Sequence, residues 1–216
     1  MIWSKHSVLE KLAIYHADLK HYQDKESQSK ISISDQHIEK FPLHKNKKLI
    51  PAAVLVPLVN QETGITVLLT KRTNNLNNHA GQISFPGGRV DEKDRNPEHT
   101  ALRETEEEIG LHKRQIEVVG RLNEYVVGTG FLVSPIIGFI EPPFNITPHE
   151  NEVAEVFEAP LSFVTHPDNF ERRTRMIRGI KRSYFAVQWK DRLIWGATAG
   201  MLRDLSQRLW GSDNEP

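Results

Sequence analysis

The chain reads as an α/β protein, a mixed sheet covered by helices, and three observations lead there. Short β-branched apolar runs are interleaved with helical stripes. One stretch, Pro97 to Ile109, carries complete helix start and stop signals. The 216 residues, with 38% hydrophobic content and four tryptophans, are enough for one well-buried core.

Taken from the N-terminus, Ser7 to about Tyr22 sets Leu9, Leu12, Ala13, Tyr15, His16 and Leu19 in an imperfect helical stripe, able to pack on the domain or on a second copy of the chain. Gln23 to Asp35 is polar and rich in Ser, Gln and Lys, the composition of a connector. Residues 1–48 are therefore expected as an N-terminal helix and connector, and 49–216 as the main domain. Ala52 to Leu58 and Ile65 to Thr70 are strands separated by a turn at Gly64; Ile116 to Val119, Tyr125 to Val127 and Val133 to Ile140 are later strands. Tyr184 to Trp189 and Leu193 to Trp195 flank Lys190-Asp191-Arg192 as a hairpin. A last helix, Ala197 to Trp210, aligns Leu202, Leu205 and Leu209. No internal repeat is evident.

The helix at Pro97 to Ile109 concentrates the chemistry. Asn96 is a suitable N-cap, Pro97 sits where no N–H is needed, and Gly110 supplies a left-handed stop. Glu104, Glu107 and Glu108, three and four residues apart, share one face, while Leu102, Thr105 and Ile109 point to the other. An acidic helical face is ordinarily a solvated one. Like charges at i, i+4 nevertheless repel, and a cation would remove that penalty; Arg103 relieves part of it by pairing with Glu107. Oxygen donors without a single cysteine suit Mg²⁺ or Mn²⁺, and Mg²⁺ takes one or two carboxylates with substrate phosphate oxygens completing its shell.

The surrounding pattern decides between the two. Arg103-Glu104-Thr105-Glu106-Glu107-Glu108-Ile109-Gly110-Leu111 resembles the second half of the signature of the Nudix hydrolases, R-E-U-x-E-E-x-G-U with U a bulky aliphatic residue, Thr105 being the mild departure. In the first half the family expects Gly, five residues, Glu, then seven residues to the Arg. Here Gly88 is followed after five residues by Asp94, and eight residues separate Asp94 from Arg103. Leu69-Thr70-Lys71-Arg72 and Gly81-Gln82-Ile83-Ser84-Phe85-Pro86-Gly87-Gly88 resemble the coenzyme A pyrophosphatase branch of that family, with Thr73 in place of Ser or Ala and Asn77 in place of an Arg. Gly128-Thr129-Gly130-Phe131, Ser134-Pro135, Asn151 to Phe157, Pro160 to Phe163 and Ile194 to Ala199 continue the likeness, which covers approximately Ile50 to Leu209.

This resemblance implies an α/β/α sandwich and a metal-dependent pyrophosphatase. Glu104, Glu107 and Glu108 are then the expected metal ligands. Glu107 is also a candidate base, Arg103 orients the cluster, and Arg72, Gly81, Phe85, Gly87 and Gly88 are expected at the substrate. Nudix enzymes often take a base or further ligand from outside the signature. Glu152 and Glu155 are candidates, side by side if their segment forms a helical turn, with Glu152 favoured. Coenzyme A is the leading substrate, split to 4′-phosphopantetheine and adenosine 3′,5′-bisphosphate. ADP-ribose, NADH or another nucleoside-diphosphate-linked compound is the alternative that Asn77 keeps open, and a nucleotide-sensing regulator on the same scaffold is the non-enzymatic one.

Composition limits the other classes. Lys plus Arg equals Asp plus Glu at 28 each, so overall charge does not favour nucleic acid. The absence of cysteine excludes disulfides, thiolate zinc and thiol nucleophiles. The N-terminus lacks the long apolar core and cleavage site of a signal peptide, and no run approaches the roughly 20 apolar residues of a membrane span, so a cytoplasmic protein without membrane contact is expected. Arg172, Arg173, Arg175, Arg178, Lys181 and Arg182 form a basic cluster without interleaved aromatic residues; a solvated hairpin surface is expected there, ahead of substrate phosphate contact and then of nucleic acid. The ten histidines show no paired metal spacing, and His79, just before the Gly81 turn, is expected in a structural role. Gly128-Thr129-Gly130 either lets backbone approach a substrate or simply makes a turn.

Overall fold

A computed structural model describes residues 2–13, 49–74, 80–177 and 180–211. Asn77, His79 and Arg178, the connector, and Tyr15, His16 and Leu19 lie outside the described residues. The elements in chain order are α1 (residues 5–13), β1 (Ile50–Gln61), β2 (Gly64–Arg72), β3 (Ile83–Ser84), β4 (Gly87–Arg89), α2 (Pro97–Ile109), β5 (Ile116–Arg121), β6 (Tyr125–Val126), β7 (Phe131–Ile140), β8 (Val153–Pro160), α3 (Leu161–Val164), β9 (Phe170–Ile177), β10 (Ile180–Trp189), β11 (Arg192–Trp195) and α4 (Ala197–Trp210).

Eight strands form one sheet. Its spine runs β3-β2-β1-β7-β5, with β4 beside β1, β6 beside β7 and β8 beside β2. The pair β1 and β7 is parallel and the others are antiparallel, so the sheet is mixed. The central strand β1 is apolar on both faces because both are covered. Ala53, Leu55 and Val59 join Ala101 and Ile109 of α2 in one core cluster, while Val56 and Leu58 join Leu202, Leu205 and Leu209 of α4 in the other. The α/β/α layering follows from those two clusters.

A second sheet, β11-β10-β9, is wholly antiparallel and extends the α4 side. The expected hairpin at Lys190 is its β10–β11 turn, where Lys190 takes a positive φ of 53°. The basic cluster begins on β9 and ends on β10, where Arg175 faces Arg182 across the strands.

The N-terminal segment joins the core. Trp3, Val8 and Leu12 are buried, Trp3 meets Trp210 edge to face at 5.3 Å, and Lys5 Nζ donates to Glu117 at 2.7 Å and Glu141 at 2.8 Å. Val8 takes the buried position beside Leu12 and Ala13 is exposed, so the stripe is rotated from the one expected.

One local expectation is overturned. Glu152 and Glu155 do not share a helical turn, because Val153–Pro160 adds as a strand to the edge of β2. The extended backbone separates them: Glu155 accepts from Arg192 of β11, and Glu152 stays in the turn before the strand. Among the described residues no helix is long and apolar enough to cross a membrane.

Candidate active site

The site is built where β4 crosses the N-terminal half of β1 and α2 lies over both. Gly87 and Gly88 pair with Val54 and Ala53. Gly87 has φ +153°, and a Cβ there would run into the Ala53 carbonyl and the Val54 backbone, so only glycine allows this approach. A Cβ on Gly88 would overlap the Glu104 carboxylate. The glycine pair therefore makes the space in which the acidic face of α2 sits.

The helix forms as its caps dictate. The Asn96 side chain accepts from the His99 N–H at 2.8 Å, and Gly110 closes the helix at φ +70° with its N–H donating to the Glu106 carbonyl at 2.9 Å. Beyond that stop, the N–H groups of Thr147 and His149 donate to the carbonyls of Ile109 and Glu108, each at 2.8 Å. The turn that holds Glu152 is thereby fastened to the end of α2. Thr73 fastens it from the other side: its N–H donates to the Glu152 carbonyl and its hydroxyl to the Asn151 carbonyl, both at 3.0 Å.

Glu108 is only 5% exposed. One carboxylate oxygen accepts the Gly87 N–H at 3.1 Å, and the other lies 3.7 Å from Nη1 of Arg72. Burial pushes the carboxyl up to about 7; the Gly87 hydrogen bond and the Arg72 charge pull it back, and Glu104 and Glu152 add to the rise. Glu104 is also raised, first by burial, with Arg103 opposing and the charges of Glu107 and Glu152 contributing. Glu104, Glu108 and Glu152 are thus electrostatically coupled, although Glu152 belongs to a distant part of the chain.

Arg103 organises the exposed side of the cluster. Its Nη1 bridges Glu104 and Glu107, at 2.9 Å to each, so the expected pair with Glu107 is made. The rest of the guanidinium turns to Asp94: Nε donates to Oδ1 at 3.1 Å and Nη2 to Oδ2 at 2.9 Å, while Nη2 also reaches the Arg89 carbonyl at 3.1 Å. The Asp94 side chain is wholly buried and further accepts the Asp91 N–H and the Thr100 hydroxyl, each at 2.9 Å. Hydrogen bonding to Arg103 holds its carboxyl well below the usual carboxylate range and raises Arg103. The shorter acid and the longer loop before Arg103 thus compensate, and Asp94 reaches the arginine.

Other expected site residues divide. Gly81, with φ +67°, and Arg72 share one corner, where the Arg72 N–H donates to the Gln82 carbonyl at 3.0 Å. Phe85 is 3% exposed and packs in the core, so the structure gives it a packing position in place of a surface for ligand. The linkage of Thr73 to the Glu152 turn is invisible in the sequence, since it depends on β8 pairing with β2.

Among the described residues no three acidic or imidazole groups converge as a ready-made metal cage. Arg103 holds Glu104 and Glu107 in their present positions. The donors nevertheless fit a hard divalent cation: they are all oxygen, Glu108 is buried and Glu104 half-buried with both carboxyls raised first by that burial, and Gly88 leaves the Glu104 carboxylate the room a Cβ would fill.

Residues 49–179 match the model of the NUDIX domain. An uncharacterized Nudix hydrolase, NudL, of Photorhabdus laumondii is 37% identical over 158 residues, 73% of this chain and 84% of the relative. Its counterpart of the same name in Escherichia coli K12 is 37% identical over 159 residues, 73% of this chain and 82% of that one. Among solved structures, a C. elegans Ap4A hydrolase covers 51% of this chain and 80% of its own at 21% identity, with a TM-score of 0.45. With the domain model matching well over half of the chain and relatives sharing more than a third of their residues across most of their length, the chain belongs to the Nudix family and is one of its hydrolases.

Proposed function

We propose that this hydrolase cleaves the diphosphate of coenzyme A or its derivatives, giving 4′-phosphopantetheine and adenosine 3′,5′-bisphosphate. The observation that carries the reading is the meeting of two segments far apart in the chain. Arg72, from the segment that resembles coenzyme A pyrophosphatases, stands 3.7 Å from Glu108 of the acidic helix, whose other carboxylate oxygen accepts from Gly87 of β4. A half-buried cation facing a buried acidic residue beside a glycine strand is an arrangement suited to a diphosphate bridged to a metal ion.

Glu104 and Glu108 are assigned as ligands of Mg²⁺ or Mn²⁺, and Glu107, 60% exposed and paired with Arg103, as a further ligand or base. A divalent cation held by Glu104 and Glu108 would supply charge neutralisation for the diphosphate and Lewis-acid activation of the attacking water. Glu152 supplies a base from outside the helix, aided by its proximity to both assigned ligands. Arg103 positions Glu104 and Glu107, and Arg72 takes a diphosphate oxygen. Gly81 is assigned to the substrate corner beside Arg72, and Gly87 and Gly88 contribute to the site by seating the acidic face of α2 against β4. Water attacks one phosphorus, the other phosphate leaves, and no covalent intermediate is required.

The test is a mass-resolved product assay with coenzyme A, ADP-ribose, NADH and a capped RNA, each with Mg²⁺ and with Mn²⁺, beside Glu108→Gln. Preferential release of 4′-phosphopantetheine, lost in the variant, is the expected result. Faster cleavage of another compound moves the substrate class, and binding of nucleotides without turnover supports a regulator.

A further inference from the structure

We propose that one face of the three-stranded sheet, built from Tyr184, Trp195, Arg173, Arg175 and Arg182, is a nucleotide subsite. It would stack the purine and hold a phosphate monoester carried on the ribose, beyond the diphosphate that is cleaved. The inference rests on the proposed cleavage of coenzyme A only for the identity of the whole substrate.

Strand register assigns the face. Val187 pairs with Phe170 and Ile194, and with Phe185 opposite Arg172 these form the side that packs on the core. The alternate positions make the other side: Trp195 opposite Ala186, Tyr184 opposite Arg173, and Arg182 opposite Arg175. The basic cluster is therefore not free of aromatic residues, as the linear order suggested. Folding lays two rings among the arginines.

The Tyr184 and Trp195 rings lie 5.5 Å apart at 59°, and both side chains remain partly exposed. Rings with an open face stack on any base, and guanidinium groups beside them take phosphate. Charge complementarity points the same way. Glu171, an acid on this face, pairs with Arg173 at 2.7 Å. Arg175 directly opposes Arg182, so two guanidinium groups are carried side by side on this face, the donor set a phosphate monoester takes. Arg182 is held toward the β6–β7 loop, where a Cβ on Gly128 would come within 3.2 Å of its Nη1.

The face also connects to the proposed diphosphate position. Gly196, next to Trp195, sits against Gln82, whose side-chain nitrogen would be 3.7 Å from a Cβ there. The Gln82 carbonyl accepts from Arg72, and Arg72 faces Glu108. Trp195 and Glu108 thus stand at the two ends of one short series of contacts through the Gly81 loop.

The test titrates the full-length protein with adenosine 3′,5′-bisphosphate and with AMP, by calorimetry and tryptophan fluorescence. It compares wild type, Arg175→Ala, Arg175→Ala/Arg182→Ala and Trp195→Leu. Wild type is expected to bind the bisphosphate about tenfold or more tightly than AMP, a preference reduced by the single and removed by the double arginine variant. Trp195→Leu is expected to weaken both ligands equally. In turnover, the preference for coenzyme A over its 3′-dephospho form is expected to fall through KM, with kcat on the dephospho form unchanged. Because Arg175 is exposed, its single variant keeps the test valid if the double variant does not fold. Equal binding of the two nucleotides by wild type, or a preference that survives both arginine variants, overturns the subsite. So does tighter, arginine-dependent binding of a single-stranded RNA oligonucleotide. Arginine-dependent bisphosphate binding in a protein that does not cleave coenzyme A leaves the subsite standing and removes the proposed substrate.

Discussion

Replacing Asp94 with Asn tests whether a buried acid outside the helix holds the glutamate cluster together. The carboxylate receives two guanidinium N–H groups from Arg103, the Asp91 N–H and the Thr100 hydroxyl, with His99 Nδ1 at 3.1 Å from Oδ1. An amide has a single acceptor oxygen. Whichever way it is turned, an NH₂ faces one arm of Arg103. One charge-assisted hydrogen bond is worth about 1.5–3 kcal/mol, and breaking a buried ion pair costs about 3–5 kcal/mol when the remaining charge is stranded. Arg103 is not stranded, being 26% exposed and still bonded to Glu104, Glu107 and the Arg89 carbonyl. The expected loss is therefore about 2–3 kcal/mol at neutral pH, a fall of about 1 M in the urea midpoint.

The pH dependence of that loss carries the sign. Asp94 is depressed when folded and returns to 3.8 when unfolded. Its contribution is thus fully present above the unfolded value and is lost as pH falls below it. The difference between wild type and Asp94→Asn should stay level from about pH 8 to about pH 5 and narrow below about pH 4. Urea unfolding at a series of pH values measures it. A loss under about 0.5 kcal/mol at neutral pH, or one that widens on acidification, refutes the role given to Asp94.

Other consequences are as direct. Glu108 has the opposite sign: its folded value is raised from 4.5 to about 7, so metal-free protein should lose about 3 kcal/mol of stability as pH rises through that interval. Glu108→Gln should flatten the profile and abolish most turnover, and an unchanged profile would locate the titration elsewhere. Gly88→Ala, which displaces the Glu104 carboxylate, should lower kcat about 100-fold with little change in melting temperature. Gly87→Ala, which meets backbone, should unfold the site; equal melting of the two variants would contradict the packing described. Trp3→Ala should cost about 3–5 kcal/mol in chemical denaturation, because Trp3 is 4% exposed in the core, and a cost below about 1 kcal/mol would show that α1 docks without it.

What the sequence by itself determined was local. Asn96, Pro97 and Gly110 define α2 because caps act within one turn of backbone, and the spacing of Glu104, Glu107 and Glu108 puts them on one face in any α-helix. Apolar runs likewise located β1, β2 and β7, and the cysteine-free acidic face indicated hard-cation chemistry. Only the tertiary structure decided how those groups are used. Glu108 becomes a buried carboxylate with a raised proton affinity because Gly87 and Arg72 arrive from other strands. Asp94 grips Arg103 because the longer loop folds back over the helix. Glu152 and Glu155 part company because the edge of β2 takes their segment as a strand, overriding a helical spacing that was equally consistent with the sequence. Tyr184 and Trp195 join the arginines through cross-strand register. Each of these depends on contacts between residues far apart in the chain, and a periodicity read along the backbone carries no information about which strand edge or loop will supply them.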